Sequence, residues 1–591
     1  MSSPLARICF RSATVVTFAA LVSLNVTTPV MAQPVTAEDP YLAPSGNPDI
    51  DVEHYDVSLH YQRSTGGIKR ASATLRILAE SDLSSFSLDA RRGLNIRQVK
   101  VAGKSAEFRH TGRKIYVNKF TPVAAGQSFT TTIRYAGKPR PIKDESGRGV
   151  YGWLRTPGGS VTFTEPTGTS AWIPCNDVFF DKATWRTRIT TPAGLLGVST
   201  GRLQGIRSKA GKTTSRWHMS TPIQPYIQTV AVDRFRYSDQ SVAGLPAFTA
   251  VAKGSGSSVA EMRRKTAAAI RWLRPKLGPY PFESTGAIVV SGLESAMETA
   301  GRPTYSPGTY FTSRATVLHE QAHMWFGNLL TARQARDMWL HEGFATYLEN
   351  VEVAERRGRL LANIVHEQYV QDGWYRGFHG QFQRVPLADP TPRYLLNSTP
   401  YFRGQAAVHT LRHKLGDEMF WRVLRELVDL PPGTSTSTAA VIKQAEEISS
   451  QDLSDWAKTW VYSTGYQQLP ERPRHQQVLR ELGPSLLDAA AEFVWRDSDQ
   501  PAAKYLAKAR RSFSPTNQLQ LDSIRQEGTG RKATYYVDFQ TQPGPLYPDS
   551  YASCFVFSPR NLDIVLGSYL GVQISGQPRV NHFSLGNCSV D

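Results

Sequence analysis

The sequence predicts a multidomain protein in which an antiparallel, β-sandwich-like domain comes first, a mainly α-helical domain follows, and a small α+β module ends the chain. Two observations predict this order. Apolar and polar residues alternate between residues 45 and 243, and the apolar spacing becomes helical between residues 244 and 466. A length of 591 residues, 40% of them hydrophobic, allows several separate cores.

The first domain is predicted from period-two alternation. Apolar side chains occupy every second position between residues 55 and 61 and between 73 and 77, with polar residues between them, and Phe129, Thr131, Ile133 and Tyr135 repeat the pattern with Thr131 as its one polar member. Such segments, separated by Gly, Ser and Lys, are typical of strands with one buried face. We therefore expect residues 45–243 to form a stack of antiparallel sheets.

Helical signals begin after residue 254. Ser258 and Glu261 have the spacing of a capping box, and the apolar stripe that follows ends at Pro275. A second helix is predicted from Thr316 to Phe326. Further helices are predicted at residues 405–414, 418–428, 438–448 and 453–462.

The last module is predicted for residues 474–591, beyond a proline-bearing segment at residues 467–473. Its helices are expected at residues 485–495 and 501–513, and its strands near residues 535–539, 554–557 and 562–566. Its role is not evident from the sequence.

The amino terminus has the pattern of a signal peptide. Arg7 and Arg11 precede an apolar run over residues 13–26, and Ala32 ends a small-residue cleavage site. We expect residues 1–32 to be removed on export and the mature protein to be secreted, periplasmic or held at the cell envelope. A disordered tail or a membrane anchor is the alternative.

Export places the cysteines in an oxidising compartment. Three remain after cleavage, so they cannot all pair within the chain. Cys554 and Cys588 are the expected pair because they share the terminal region, and Cys175 is expected to be a buried thiol.

The formal net charge of +18 allows an anionic partner. No nucleic-acid fold signature or lysine-rich tract is present, so we expect no nucleic-acid partner. We expect a dispersed basic surface, with weak attraction to an anionic cell envelope as the alternative. No apolar stretch after the first segment approaches the length of a membrane span.

The segment His319-Glu320-Gln321-Ala322-His323 carries the clearest chemical signal. Residues four apart on a helix share a face, so His319 and His323 can bind one metal ion. Glu320 can reach a water on that metal. Glu342, the candidate third ligand, follows His323 after 18 intervening residues. Two His and one Glu form a known catalytic zinc set with one open position. The alternative is two surface histidines and an unrelated glutamate.

The chain resembles the aminopeptidase N family of gluzincin metallopeptidases. Four further segments carry the resemblance in the family's order: Phe163–Pro166 with Trp172–Asp177, Ser295–Thr299, Pro400–Gly404 and Trp460–Gly465. The resemblance covers residues from about 45 to about 466. It implies a thermolysin-like fold for the helical domain and hydrolysis of N-terminal residues from peptides with a free amino terminus.

The resemblance also implies residue roles. Glu320 is the expected general base acting on zinc-activated water, and Tyr401 the expected stabiliser of the oxyanion. Ala296, Met297 and Glu298 match the substrate-binding exopeptidase motif, and Glu165 matches a second carboxylate for the substrate amine. Carboxylates beside the metal would select a cationic amino terminus.

Two positions depart from the family pattern. Thr299 stands where the family usually has Asn, and His341 precedes the metal ligand where Asn is frequent. As neighbour of a helical ligand, His341 should point elsewhere. A catalytically inactive peptide-binding relative and a zinc endopeptidase remain alternatives; the first should have lost a ligand, the base or the tyrosine, and the second should lack the paired carboxylates.

Overall fold

A computed structural model describes residues 39–143, 150–357, 361–362, 364–366, 368–369 and 385–469, and four strands between residues 519 and 567. The proposed signal peptide, the two helices expected at 485–495 and 501–513, and Cys588 lie outside the described residues. No helix in the described part of the chain has both the length and the apolar character to cross a bilayer.

The strands of the first domain are numbered in chain order. They are β1 Ile50–Gln62, β2 Gly67–Ala79, β3 Phe86–Asp89, β4 Leu94–Val101, β5 Lys104–Ser105, β6 Glu107–Thr111, β7 Lys114–Asn118, β8 Ser128–Gly137, β9 Ile142–Lys143, β10 Val150–Arg155, β11 Ser160–Phe163, β12 Ala183–Pro192, β13 Leu196–Ser199, β14 Arg202–Lys209, β15 Lys212–Ile223 and β16 Val230–Asp233.

Three sheets make up this domain. The largest has eight strands in the order β14-β15-β12-β1-β2-β8-β4-β5, the second has the order β13-β16-β11-β10-β9, and the third has the order β3-β7-β6. The predicted multi-sheet β-domain is confirmed. One pair departs from the antiparallel expectation, because β1 and β12 run parallel.

The eight-stranded sheet shows the alternation that the sequence predicted. Tyr55, Val57 and Leu59 of β1 are fully buried, and the Tyr55 ring stacks on Trp185 of β12 at a centroid distance of 3.9 Å. The intervening residues of β1 face outward, where the side chains are partly or fully exposed. One face of the sheet therefore packs into the core and the other meets solvent.

A fourth sheet opens the second domain. Its strands are β17 Phe235–Ser238, β18 Ala247–Ala252, β19 Thr285–Val289, β20 Ala296–Met297 and β21 Thr304–Tyr305, in the order β17-β18-β19-β21-β20. This sheet spans the predicted boundary at residues 243/244. Its short strands lie in a region for which the sequence predicted mainly helices.

The helices are α1 Val259–Leu277, α2 Arg314–Ala322, α3 Trp339–Arg357, α4 Gly404–Leu415, α5 Asp417–Leu427, α6 Thr438–Ser449 and the short α7 Ser454–Trp456, which continues into a π-helical turn at Ala457–Tyr462. The short strands β22 Thr331–Ala332 and β23 Ser435–Thr436 pair in parallel between them. The predicted helices at 405–414, 418–428 and 438–448 agree with α4, α5 and α6 to within one residue at each end.

One half of the predicted capping box of α1 is confirmed, because the Ser258 hydroxyl accepts a hydrogen bond from the Glu261 amide, while the Glu261 carboxylate pairs with Lys265 at 2.6 Å. The predicted end at Pro275 is wrong by two residues. Proline cannot donate a backbone hydrogen bond, but near a helix end this removes one bond only, and α1 continues to Leu277. Gly278 then ends the helix with φ +93° and donates to the Arg274 carbonyl.

The metal-ligand helix is shorter than predicted. α2 begins at Arg314 after the Ser313 cap and ends at Ala322, whereas the sequence predicted Phe326. The His323 amide still bonds the His319 carbonyl at 3.2 Å, so both histidines keep the helical spacing. The chain then turns through Gly327, whose φ of +123° favours glycine.

The remaining strands, β24 Leu519–Glu527, β25 Thr534–Thr541, β26 Ala552–Phe557 and β27 Ile564–Gly567, form an antiparallel sheet in sequential order. Three of them were predicted from the sequence, and β24 was not.

Candidate active site

Three ligand atoms converge between α2 and α3. His319 Nε2 and His323 Nε2 are 3.1 Å apart, and Glu342 Oε2 lies 3.3 Å from the first and 3.4 Å from the second. Ligands about 2.0–2.1 Å from a tetrahedral zinc are separated by roughly 3.3 Å, so this triangle has the size of one face of a zinc site. The geometry of the chain's own residues fits the metal.

The outer nitrogen of each imidazole is also engaged. His323 Nδ1 lies 3.0 Å from the Phe326 carbonyl oxygen, and His319 Nδ1 lies 3.2 Å from Glu349 Oε2. A proton held on Nδ1 leaves Nε2 free as a ligand and fixes the ring orientation. Glu349 was missed from the sequence, although it lies seven residues after Glu342 on the same face of α3.

The ligand carboxylate is electrostatically matched to cations. Burial alone would raise the pKa of Glu342, but His323 and His319 outweigh it and hold the pKa well below the usual range. Burial likewise opposes protonation of His319, yet Glu342 and Glu349 raise its pKa. The pocket is therefore built to hold a negative carboxylate beside positive charge, as a metal-binding set requires.

Glu320 lies on α2 between the two histidines and is 6% exposed. Burial raises the pKa of its carboxyl to about 8, against the opposing effect of His319 and His323. A buried carboxylate with a raised proton affinity, held beside a metal site, is suited to accept a proton from water.

Tyr401 reaches the site from a π-helical turn, Thr399–Arg403, just before α4. Its ring lies parallel to His319, with centroids 6.3 Å apart and planes 14° apart. Burial, followed by Glu342, raises the pKa of the Tyr401 phenol well above its ordinary value, so the hydroxyl keeps its proton and can donate it in a hydrogen bond.

Two glycines set the distance between α3 and α4. A Cβ atom placed on Gly343 would lie 2.8 Å from Gly404 Cα, and one placed on Gly404 would lie 2.8 Å from Gly343 Cα. The two backbones touch at this crossing. It joins the ligand Glu342, one residue before Gly343, to Tyr401, three residues before Gly404.

Glu298 and Glu165 bring two more carboxylates to the same place from different sheets. Glu298 follows β20 and is 3% exposed, and Glu165 follows β11 of the first domain. Burial, then the charge of Glu298, raises the pKa of Glu165. The Oε1 atom of each is buried without a hydrogen-bond partner among the described residues. Two mutually repelling carboxylates, each with one oxygen that lacks a partner, form an acceptor for a cation.

The exopeptidase motif is held against both domains. Ala296 and Met297 form β20, and Met297 Sδ lies 3.4 Å from the Thr164 amide, one residue before Glu165. The Asn328 amide group donates to the Glu298 carbonyl oxygen at 2.8 Å, and the Asn328 backbone amide donates to the His323 carbonyl at 2.9 Å. Asn328 thus links the motif to the metal-ligand helix.

The two departures from the family pattern both have a local structural use. The Thr299 hydroxyl donates to the Arg302 carbonyl at 2.6 Å and contacts the Thr304 hydroxyl at 3.0 Å. His341 is fully buried and accepts a hydrogen bond from the Ala332 amide at 2.9 Å. Burial, then His323, lowers the pKa of His341 to about 3. As expected, His341 points away from the ligand set.

Side chains of the first domain support the loop after α2. Lys182 lies in a segment, Asp181–Ala183, that resembles the family's amino-terminal signature, but this role of Lys182 and Gln224 was not predicted. Gln224 Nε2 donates to the Gly327 carbonyl at 2.7 Å. The buried Lys182 ammonium donates to the carbonyl oxygens of Leu329 at 2.9 Å and Thr434 at 2.7 Å. Burial lowers the pKa of Lys182 to about 7. These contacts fix the loop that carries Asn328.

The fold and the His319, His323 and Glu342 set resemble those of gluzincin zinc metallopeptidases. Residues 276–460 match the Peptidase family M1 domain. A mutant M1 zinc metallopeptidase from Deinococcus radiodurans, solved with a Tyr-Ser-Ala substrate, is 27% identical and superposes with a TM-score of 0.65 over 72% of this chain and 97% of that one. The chain is thus similar to M1 zinc metallopeptidases both in the segment that holds the zinc ligands and in its overall fold.

Two named relatives match smaller parts of the chain. "Probable aminopeptidase 2" of Sulfurisphaera tokodaii is 22% identical over 63% of this chain and 49% of its own length. "Aminopeptidase N" of Streptomyces lividans is 28% identical over 33% of this chain and 25% of its own length. The chain thus spans about half or less of these two curated relatives.

Proposed function

We propose that this chain is a zinc-dependent aminopeptidase that removes N-terminal residues from peptides. The observation that carries the proposal is the pair of carboxylates beside the zinc ligands, the buried Glu298 and the half-buried Glu165. The tripeptide bound to the Deinococcus relative supports a peptide as substrate.

A free amino terminus is the feature that the carboxylates would recognise. The substrate ammonium would lie between Glu298 and Glu165 and relieve their mutual repulsion. Ala296 and Met297 form β20, an edge strand of its sheet, and Glu298 follows directly after it. The substrate backbone would lie alongside this edge strand. The first peptide bond would then lie over the metal ligands.

Zinc, when bound by His319, His323 and Glu342, supplies Lewis acidity to the scissile carbonyl and to water. Glu320 accepts the proton of the attacking water and passes it to the leaving amine. The Tyr401 hydroxyl donates a hydrogen bond to the negative charge that develops on the carbonyl oxygen. Both residues, and all three ligands, are present, which disfavours a catalytically inactive relative.

The test compares one peptide with and without an N-terminal acetyl group. Wild type should cleave the free-amine peptide and leave the acetylated one nearly intact. Glu298→Ala should reduce cleavage of the free-amine peptide strongly, because misplacing the scissile bond by about 1 Å costs roughly a hundredfold. Glu165→Ala should act in the same direction. Equal wild-type rates on both peptides would leave a zinc endopeptidase as the function.

We also propose that the protein is exported and acts in the periplasm, at the cell envelope or outside the cell. The basic start, apolar run and Ala32 cleavage site support this proposal. Amino-terminal sequencing of the protein from its native host should begin at Gln33. An intact Met1 start on the active protein would contradict export by this route.

A further inference from the structure

The solvent face of the eight-stranded sheet concentrates positive charge. Every second side chain of a strand points to the same face of the sheet. The register between the strands therefore shows which side chains lie together on the solvent face. In six neighbouring strands, from β14 to β8, the outward arginine and lysine residues are Arg202, Arg207, Lys209, Lys212, Arg216, Arg186, Arg188, Arg70, Arg76 and Arg134, and all ten are exposed. We call this set the basic face.

Few carboxylates oppose these cations. Within the six strands, the acidic side chains on the basic face are Asp51, Glu53 and Asp56, and Glu53 pairs with Arg76 at 2.9 Å. Arg188 and Arg216 form no ion pair or side-chain hydrogen bond within the described part of the chain. The excess charge is not neutralised by the protein's own residues.

Like charges even face each other across the strands. Arg188 is directly opposite Arg216, and Lys209 is directly opposite Lys212. Such pairs destabilise an antiparallel sheet, because their side chains leave the backbone about 5 Å apart. A sheet that only needed a soluble outer face would be better served by alternating signs.

The cations of this face affect the pKa of two neighbouring histidines, His60 and His54. Burial, followed by the cations Arg70 and Lys212, lowers the pKa of His60. Burial, followed by Arg186, lowers the pKa of His54. Cations from β15, β12 and β2 therefore act together at the middle of the sheet rather than as isolated surface charges.

The shape of the face selects among anionic partners. Six strands spaced about 4.8 Å apart give a surface roughly 24 Å wide. Its outward positions carry mainly Arg, Lys, Thr, Ser and His, and the Trp, Tyr and Phe rings of the six strands are buried on the other face, where no nucleobase could stack on them. Leu78 of β2 is an outward apolar side chain, but it is only partly exposed and offers little for insertion into hydrocarbon. A broad surface of this kind is suited to many simultaneous contacts with a planar array of phosphates.

We propose that the basic face adsorbs the protein electrostatically to a membrane surface rich in anionic phospholipid headgroups. This binding is separate from peptide hydrolysis, because none of the ten cations contributes to the zinc or amine sites. The sequence predicted a dispersed basic surface, with weak attraction to an anionic envelope as the alternative, and the ten cations of this face support the alternative.

The test measures binding of the full chain to phosphatidylglycerol–phosphatidylcholine vesicles by co-sedimentation at low ionic strength. Wild type should bind these vesicles, should not bind pure phosphatidylcholine, and should be released by salt. Arg188→Gln with Arg216→Gln should weaken binding roughly 30-fold, since each cation near an anionic surface contributes about fivefold. Peptidase activity on a small soluble substrate should not change.

The matched control is the double variant Arg264→Gln with Arg271→Gln. Both arginines are exposed on α1, away from the basic face, and their replacement removes the same two positive charges as the test variant. The control should bind like wild type. Equal weakening by both double variants would overturn the proposal in favour of a net-charge effect. So would failure of wild type to bind anionic vesicles, or random-sequence duplex DNA displacing the protein from vesicles at equal phosphate concentration.

Discussion

For the replacement of Gly343 with alanine, helix propensity and the three-dimensional structure predict opposite changes in stability. Gly343 lies inside α3, and in a helix interior alanine is normally more stable than glycine by about 1 kcal/mol. By helix propensity alone, Gly343→Ala should stabilise the protein. The crossing with Gly404 predicts the opposite sign.

The size of the effect follows from the crossing. The new Cβ would lie 2.8 Å from Gly404 Cα and 2.9 Å from the Gly404 carbonyl carbon. Carbon atoms pack at about 3.5–4.0 Å, so α3 and α4 would have to separate by roughly 1 Å. Both obstacles are backbone atoms, which cannot rotate away. We expect the upper end of overpacking costs, about 3 kcal/mol, less the propensity gain of about 1 kcal/mol, hence a net loss of about 2 kcal/mol.

Activity should fall further than stability. Glu342 precedes Gly343 and Tyr401 precedes Gly404 by three residues, so separating the helices separates a zinc ligand from the oxyanion donor. A displacement of about 1 Å costs roughly a hundredfold in rate. Turnover should therefore drop about 100-fold under conditions where the variant is fully folded.

The assay is urea unfolding together with kcat at saturating substrate. Ala268→Gly, in the interior of α1, gives the ordinary difference between the two residues in this protein. Gly404→Ala, which meets Gly343 Cα at 2.8 Å, should repeat the result from the other side. A Gly343→Ala protein that is more stable than wild type, with kcat within threefold, would refute the argument.

Three other substitutions test the roles of single side chains. Glu320→Gln should keep stoichiometric zinc by elemental analysis yet lose far more than tenfold in kcat, because it removes the base and no ligand; a loss within tenfold would reject the assignment. Tyr401→Phe should lower kcat about 10²–10³-fold with little change in KM; normal turnover with a raised KM would make Tyr401 a substrate-positioning residue. Glu349→Gln should lower zinc affinity about 10–100-fold in a chelator competition, because it weakens the partner of His319 Nδ1; unchanged affinity would contradict that role.

The sequence predicted best what is local. The metal helix, the Ser258 cap and helices α4 to α6 depend on spacings of three or four residues, and all are present. The predicted end of α2 at Phe326 was wrong, because the chain turns after His323. The Gly327 amide donates to the Leu330 carbonyl and the Asn328 amide to the His323 carbonyl, so the helix does not continue. The strands β20 and β21 have two residues each, too few for a period to be recognised.

What the sequence did not predict depends on which segments become neighbours. Lys182 lies 252 positions before Thr434, yet its ammonium bonds that residue's carbonyl. The basic face likewise depends on the order of the strands, because Arg188 and Arg216 face each other only once β12 is paired with β15. Composition gives the total charge but not its distribution over the surface.

The bonds from Lys182 and Gln224 to the loop after α2 define the smallest working unit of this protein. Residues 276–460 contain every zinc ligand, the base and Tyr401, but Glu165 and both loop supports come from outside that span. A fragment cut to the matched segment would leave the Gly327 and Leu329 carbonyls without these donors and the amine site with one carboxylate. In this architecture, a peptidase domain exchanged between relatives must carry its own β-domain with it.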